Sequence, residues 1–296
     1  MAYLYLVLSG ILFGGIVFGG KVLMNMGASL FEVMLYPEVL SLLIMLYPAR
    51  RDFKRIFKVP LKASLLFMIS MLMVNIGEFA PIILNIPVTL IVLILYLQPL
   101  WTILIERFYF HQKQSKMDWI LVVVMLIGMA VLVNPLADTH FSWTGVIIAL
   151  LGGIGLSLWV FITRYFTLQG ISTYGTFMAV NIYSIIPIIL LYFLAELTHQ
   201  NPTLRMLAVN MPIELWEAFI FYSMIIFTLP NLLLYKANGA VSAVTIGMIL
   251  LLEPVTGIVL DVVFLNSPLT ANIIIGGLII LGANILLIRE KQSRNH

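Results

Sequence analysis

The sequence predicts an all-α integral membrane protein, with ten transmembrane helices set out as two inverted five-helix repeats. Three observations carry this. The composition is that of a chain dissolved in lipid. Ten apolar stretches are long enough to cross a bilayer, and the loops between them sort by charge. One polar-and-proline pattern is written twice, about half a chain apart.

Apolar residues make up 62% of the chain and charged residues 10%, with a mean hydropathy of +1.09. Soluble domains average about 45–50% and 25%, so lipid is the solvent here. The pI of 9.0 would suggest nucleic acid in a soluble protein. Here the basic residues sit in short loops between apolar runs, which reads as membrane orientation and implies no nucleic-acid partner. There is no cysteine, which excludes disulfides and thiolate chemistry. The opening MAYLYLVLSG has no basic n-region and reads as a retained first span.

A hydrocarbon core of roughly 30 Å takes about 20 helical residues. The expected spans are Tyr3–Met24, Ser29–Tyr47, Leu61–Pro81, Asn85–Ile105 and Asp118–Val133, then Trp143–Phe166, Tyr174–Glu196, Ile213–Tyr235, Gly239–Leu265 and Thr270–Ile288. The fifth is short but almost wholly apolar. Most connections are a few residues long, so neighbouring helices run antiparallel; the longer loops are Pro48–Pro60, Arg107–Met117 and Leu197–Pro212. With the N-terminus inside, only Lys21 and Arg205 of the 16 lysines and arginines fall outside. The positive-inside rule favours that split, so both termini are expected in the cytoplasm.

The pattern written twice is PVTLIVLILYLQPLWTILIE at Pro87–Glu106 and SAVTIGMILLLEPVTGIVLD at Ser242–Asp261, 155 positions later. Gln98-Pro99 falls on Glu253-Pro254, and Glu106 on Asp261. At an offset of 143, Gly10 meets Gly153, Lys21 meets Arg164, Gly27 meets Gly170, Ser29 meets Ser172 and Ser41 meets Ser184; at 153, Glu78 meets Asn231. The growing offset places an insertion in the Leu197–Pro212 loop. The repeats are residues 1–137 and 138–296. Five spans are an odd number, so the second repeat is inverted, an arrangement typical of transporters.

These features resemble the drug/metabolite transporter superfamily, EamA type. The resemblance rests on two five-span halves, on Gly10-Ile-Leu-Phe-Gly14 running to Lys21, on Pro99 and Pro254, and on the Gly276–Gly282 run in the last span. It covers nearly the whole chain. It implies a central cavity lined by the first four helices of each half, with the fifth and tenth packed peripherally. Family members move amino acids, choline, nucleotide sugars, riboflavin and drugs, so the resemblance leaves the substrate open.

A charge at the bilayer centre costs at least about 2.5–3.5 kcal/mol on insertion scales and needs a reason. Glu38, Glu78 and Glu253 fall within spans, and across the repeat they face Asn181, Asn231 and Gln98. Each carboxyl either binds a cation, an ammonium group or a proton, or closes a helix-to-helix hydrogen bond. Glu32, Glu106 and Asp261 lie near span ends and read as interfacial anchors or gate contacts. Lys21 and Arg164 read as a pair of gates or as interfacial residues. No lysine or arginine falls at mid-membrane, which disfavours phosphorylated substrates. Among the in-span aromatics, Tyr96 and Trp101 flank Gln98 and join the candidate binding residues; an aromatic cage would have to gather rings from several helices. Gly10, Gly14, Gly15 and Gly19 allow close helix approach. Pro37, Pro99, Pro187, Pro230 and Pro254 should kink or loosen their spans.

His111, His140, His199 and His296 fall in loops or the tail without metal-ligand spacing. No metal, cofactor or catalytic residue is expected, and neither an enzyme nor a scaffold explains acidic residues at mid-depth. The expected function is gradient-driven transport of a small metabolite. An amino acid or related amine leads; a choline-like quaternary ammonium or cationic drug moved against protons is the alternative. The partners are that small molecule, protons and the bilayer, with a monomer sufficing and a bacterial cytoplasmic (inner) membrane as the setting.

Overall fold

Prolines and glycines decide where these apolar stretches are cut. A computed structural model describes residues 2–109, 111, 113–133, 142–197, 207–237 and 249–294. The side chains of Val133, Arg164, Thr167, Lys291, Gln292 and Arg294 lie outside the described set. The helices are α1 (Ala2–Phe13), α2 (Gly15–Asn25), α3 (Leu30–Met45), α4 (Phe53–Ile56), α5 (Leu61–Ile83), α6 (Val88–Leu95), α7 (Gln98–Phe108) and α8 (Lys116–Val133). They continue as α9 (Trp143–Leu168), α10 (Thr173–Leu197), α11 (Ile213–Phe221), a π-helical turn at Tyr222–Thr228, α12 (Leu229–Ala237), α13 (Leu252–Leu265) and α14 (Ala271–Arg294). Among the described residues there is no strand.

Among the described residues, seven helical stretches are long and apolar enough to cross a membrane: Ala2–Asn25, Leu61–Ile83, Val88–Phe108, Trp143–Thr163, Thr173–Leu197, Ile213–Ala237 and Ala271–Glu290. The chain is a multi-pass all-α membrane protein. Three further helices, α3, α8 and α13, occupy the positions expected of the second, fifth and ninth spans. At 1.5 Å per residue, the 16 residues of α3 span about 24 Å, short of the hydrocarbon thickness. The start of the expected ninth span, residues 239–248, and the expected repeat boundary at 137/138 lie outside the described residues.

Three of the described spans are interrupted, the first at Gly14 between α1 and α2 and the other two beside prolines. Pro99 has no N–H for Leu95 O, and α6 ends at Leu95 before α7 restarts at Gln98 with proline in its first turn. Leu251 breaks the approach to α13 in the same way, three residues before Pro254. The π turn precedes Pro230, a common means of absorbing a proline into a helix.

Helix ends are closed by hydroxyl–carboxylate pairs. Ser29 caps α3: its Oγ accepts from Glu32 N at 3.2 Å, and its own N–H donates to Glu32 Oε2 at 2.7 Å. Ser115 and Asp118 cap α8 alike, at 3.1 and 2.8 Å. Ser172 caps α10 by accepting from Gly175 N at 3.1 Å. Its carboxylate partner comes from elsewhere: Ser172 N and Oγ both donate to Asp52, in the loop before α4. A Cβ on Gly175 would meet Asp52 Oδ2 at 2.5 Å, so only glycine leaves room for the distant carboxylate.

The close helix pairs are α5 with α9, α1 with α12, α3 with α10, α8 with α14, α6 with α13, α9 with α6 and α7, and α1 with α13. Glycine permits the tightest approaches. A Cβ on Gly77 would overlap Gly152 Cα, and one on Gly14 would stand 2.6 Å from Glu253 O. Backbone cannot yield as a side-chain tip can. Gly77→Ala is therefore expected to destabilise the fold by about 1–3 kcal/mol, read as a lower melting temperature in detergent. Gly282→Ala, with nothing within 4 Å of its added methyl, should melt like the wild type.

Candidate functional site

Helical periodicity gathers the acidic residues. On α5, Met71, Val74, Asn75 and Glu78 share one face, and that face borders a cavity of about 110 Å³. Glu38 of α3, Asn231 of α12 and Glu253 of α13 border it too. Phe13 and Ile16 come from the first span, and Leu156, Trp159, Phe177 and Phe227 supply an apolar and aromatic wall. No lysine or arginine is among the described lining residues. Glu78 lies close enough to Glu38 and Glu253 for their charges to interact. Glu38 is 1% exposed, whereas Glu78 and Glu253 keep part of their surface open to the cavity.

Each carboxyl has a distinct setting. The Asn75 and Ser184 side chains stand beside Glu38, joined by an Asn75 Nδ2–Ser184 Oγ bond of 2.7 Å, while Glu38 Oε2 is buried without a hydrogen-bond partner. Asn231 donates to Phe227 O at 2.8 Å. Glu253 sits in the first turn of α13, where backbone N–H groups favour negative charge. The Tyr96 hydroxyl lies 3.0 Å from Glu253 Oε2 and 2.7 Å from Leu250 O. Leu250 O is the carbonyl that Pro254, lacking an N–H, leaves without its helical donor. The carbonyl of Tyr96, freed at the other break, accepts from Asn284 Nδ2 at 3.0 Å.

A second cavity of about 250 Å³ adjoins the first. Both are bordered by Leu156, Trp159, Leu250 and Glu253, so Glu253 stands where they meet. The second runs past Tyr96, Gln98 and Pro99 towards Val160 and Ile288.

The expected site residues thus divide. Glu38, Glu78, Glu253 and Asn231 come together, and Tyr96 and Gln98 line the adjoining cavity. Gln98 Nε2 donates to Thr102 Oγ1 at 2.9 Å, and Thr102 bonds Ser157 at 2.8 Å. Asn181 is fully buried on α10 with both amide atoms unpartnered, and it lines neither cavity. Trp101 also stays outside both: its buried indole nitrogen has no partner and packs where a Cβ on Gly153 would lie, 3.1 Å away. Lys21 lines neither cavity, and the Arg164 side chain lies outside the described residues.

Glu32 and Asp261 each tie their helix to a distant segment. Glu32 Oε1 accepts from Ala208 N at 2.7 Å, and Tyr36 donates to Ala208 O at 3.1 Å. Asp261, 1% exposed, accepts from Thr89 N at 2.8 Å, from Thr89 Oγ1 at 2.7 Å and from Ser267 Oγ at 2.8 Å. It thereby caps the start of α6 from another helix. Glu106 accepts from Gln114 at 3.3 Å near the end of α7.

Sequence reasoning passed over Asn75, Asn284 and the cavity role of Trp159. Asn75 was within its reach: at 153 it meets Thr228, and Thr228 is bonded to Ser41 at 2.7 Å just as Asn75 is bonded to Ser184. Asn284 carries no such signal.

The fold and site define a multi-pass helical membrane protein with an acidic, aromatic-walled cavity between its helices. No protein-family model and no curated protein matches the chain. Sixteen chains of solved structure match it. One, a crystal structure of a protein, covers 98% of this chain and 98% of its own at 14% identity and a TM-score of 0.61. At that identity the likeness concerns the fold alone, which the two chains share from end to end.

Tyr96→Phe removes the donor to Leu250 O while keeping the ring. A buried carbonyl left unpaired costs about 1–3 kcal/mol, so the variant is expected to melt lower in detergent. An unchanged melting temperature would mean that another donor serves Leu250 O.

Proposed function

We propose that the protein is a secondary transporter that moves a small amine or zwitterion, such as an amino acid, by alternating access. The observation that carries this reading is the convergence of Glu38, Glu78 and Glu253, from three helices, on one cavity without a lysine or arginine among its described lining. Buried carboxyls without a cation call for compensation by bound protons or by a cationic guest. An ammonium group answers the carboxyls, and the Trp159, Phe177 and Phe227 faces accept the rest by dispersion and cation–π contact. At about 110 Å³ the cavity falls below the range of about 300–1,000 Å³ usual for ligand clefts, which suits a small solute. The aromatic wall also favours a second reading, a choline-like quaternary ammonium.

The transport reading rests on ten spans in two inverted repeats, residues 1–137 and 138–296, on the drug/metabolite transporter plan. Exchanged contacts support it. Offsets of 143 and 153 turn the Ser41–Thr228 pair into Ser184–Asn75. Offsets of 143 and 155 turn the Gly14–Gly257 approach into Ser157–Thr102. The helix interruption at Tyr96 likewise falls on Leu251, and the α1–α12 packing on α9–α5. Broken helices at equivalent positions beside the cavity are a feature of transporter binding sites.

Protons fit the same geometry. A protonated Glu253 can donate to the Tyr96 oxygen while Tyr96 donates to Leu250 O. An ionised Glu253 draws the Tyr96 proton to itself and leaves Leu250 O unserved. The Asp52–Ser172 tie on one face and the Glu32–Ala208 and Asp261–Thr89 ties on the other must part in turn as the halves rock.

Uptake of amines and amino acids into proteoliposomes tests the substrate. Glu38→Gln and Glu253→Gln are expected to abolish uptake or uncouple it from protons while melting like the wild type. Wild-type uptake by both variants between about pH 5.5 and 8, the range of perturbed carboxyls, would sink the acidic-site reading. Uptake of organic anions in place of amines would do the same.

Orientation in a bacterial cytoplasmic membrane, termini inside, is checked separately. The chain lacks cysteine. An impermeant maleimide should therefore label Val209→Cys, at a position 81% exposed, in intact cells. It should label Lys54→Cys only in opened membranes. The reverse pattern would invert the topology.

A further inference from the structure

A third cavity, of about 300 Å³, lies between the loop around α4 and the end of α9 and has the opposite chemistry. Its described lining is Arg55, Lys58 and Val59, from the loop around α4, with Tyr165, Gln169 and Ile171, from the end of α9 and the turn after it. Two cations, a phenol and an amide face this space, and no carboxylate is among the described lining residues. Asp52 is engaged by Ser172 and stands 3.9 Å from the largely exposed Arg55 guanidinium, which leaves Lys58 and the far side of the arginine fork to face the space. An anion is the complementary guest, and the fork of an arginine with a lysine beside it matches a phosphate.

We propose that this pocket binds the phosphate of an anionic lipid headgroup. The surroundings favour a lipid over a free phosphate. The segment carrying Arg55 and Lys58 turns Ala49, Asp52 and Ile56 into the protein. On its other side it exposes Phe53 and Phe57, 45% and 59% accessible, with ring centroids 4.9 Å apart. Exposed aromatic rings beside Arg50, Arg51 and Lys54 are the composition of a segment lying at the headgroup level of an anionic leaflet. The pocket therefore opens where lipid phosphates are concentrated. The assignment rests on the cytoplasmic placement of this loop but not on the nature of the transported substrate.

The site also joins distant parts of the chain. Arg55 donates to Gly170 O at 3.1 Å, and Asp52 of the same segment holds the cap of α10. A phosphate seated between Arg55 and Gln169 fastens the same two segments and holds them in the arrangement seen here. Anionic lipid is thus a stabilising ligand of this conformation.

The test uses the full chain in neutral detergent, titrated with phosphatidylglycerol, phosphatidylcholine or glycerol phosphate, with melting temperature and lipids retained in native mass spectrometry as readouts. Phosphatidylglycerol is expected to raise the melting temperature and phosphatidylcholine to leave it unchanged. Lys58→Gln should weaken the phosphatidylglycerol response about fivefold, as for one basic residue at an anionic surface. Lys113→Gln removes the same charge from an exposed position in a different loop, away from this segment, and should titrate like the wild type. Gln169→Leu gives a second variant within the pocket. An equal response to glycerol phosphate, lost in Lys58→Gln, would uphold the phosphate site and assign it to a soluble ligand. Equal weakening by Lys113→Gln and Lys58→Gln, or no response to either phosphate compound, would overturn the site. Each variant's melting temperature without lipid separates loss of fold from loss of binding.

Discussion

Pro254 cannot give Leu250 O a hydrogen bond, and the Tyr96 hydroxyl does so instead at 2.7 Å. In water such a carbonyl would be hydrated. Inside a bilayer it must be paired within the protein, at a cost of several kcal/mol if it is not. Much of the interior follows from that requirement. The tyrosine must come from the opposite interrupted helix, which fixes how α6 and α13 face one another. Its ring then stands beside Glu253, and its own carbonyl is taken up by Asn284. The proline thus makes an opening in the backbone ladder, and the groups that close it are the groups that border the cavities.

Glycine supplies the second constraint. The prolines loosen helices, and the glycines let the remaining surfaces touch backbone to backbone. Gly77 against Gly152 and Gly14 against Glu253 O bring the helices that frame the acidic cavity within reach of one another. Between such contacts the cavity is lined by aliphatic and aromatic side chains with three carboxyls and two amides among them. Carboxyls from α3, α5 and α13 therefore meet across a space no wider than a small solute.

Much of this was legible in the sequence, for a physical reason: the lipid interior tolerates so few polar residues that each one is informative. Glu38, Glu78, Glu253 and Asn231 could be singled out because a charged or amide group in an apolar run needs a partner, and all four reach one cavity. Asn181 met the same criterion and lines neither cavity, since burial on α10 does not say which neighbour it faces. Trp101 likewise lines neither, because an indole packs against glycine as readily as it lines a pocket. The helix interruptions at Leu95–Gln98 and Leu251 follow from proline chemistry, but the identity of the groups that repair them depends on rotations about helix axes, which periodicity leaves open. The short length of α3 was also hidden, because hydropathy continues through Leu46 and Tyr47, beyond its last turn.

The caps of α3 and α10 start from the same serine motif and end differently. Glu32 lies three residues from Ser29, so α3 carries its own cap. Gly175 holds the corresponding place after Ser172, and the carboxylate is borrowed from Asp52, 120 positions earlier. The first arrangement is complete when its helix is made. The second is complete only against a partner already in place, and synthesis from the N-terminus provides one, since Asp52 leaves the ribosome long before Ser172. Order of manufacture is thereby built into the design. A permuted chain beginning at residue 142 would emerge with α10 awaiting its cap until α1, α2 and α3 had been delivered.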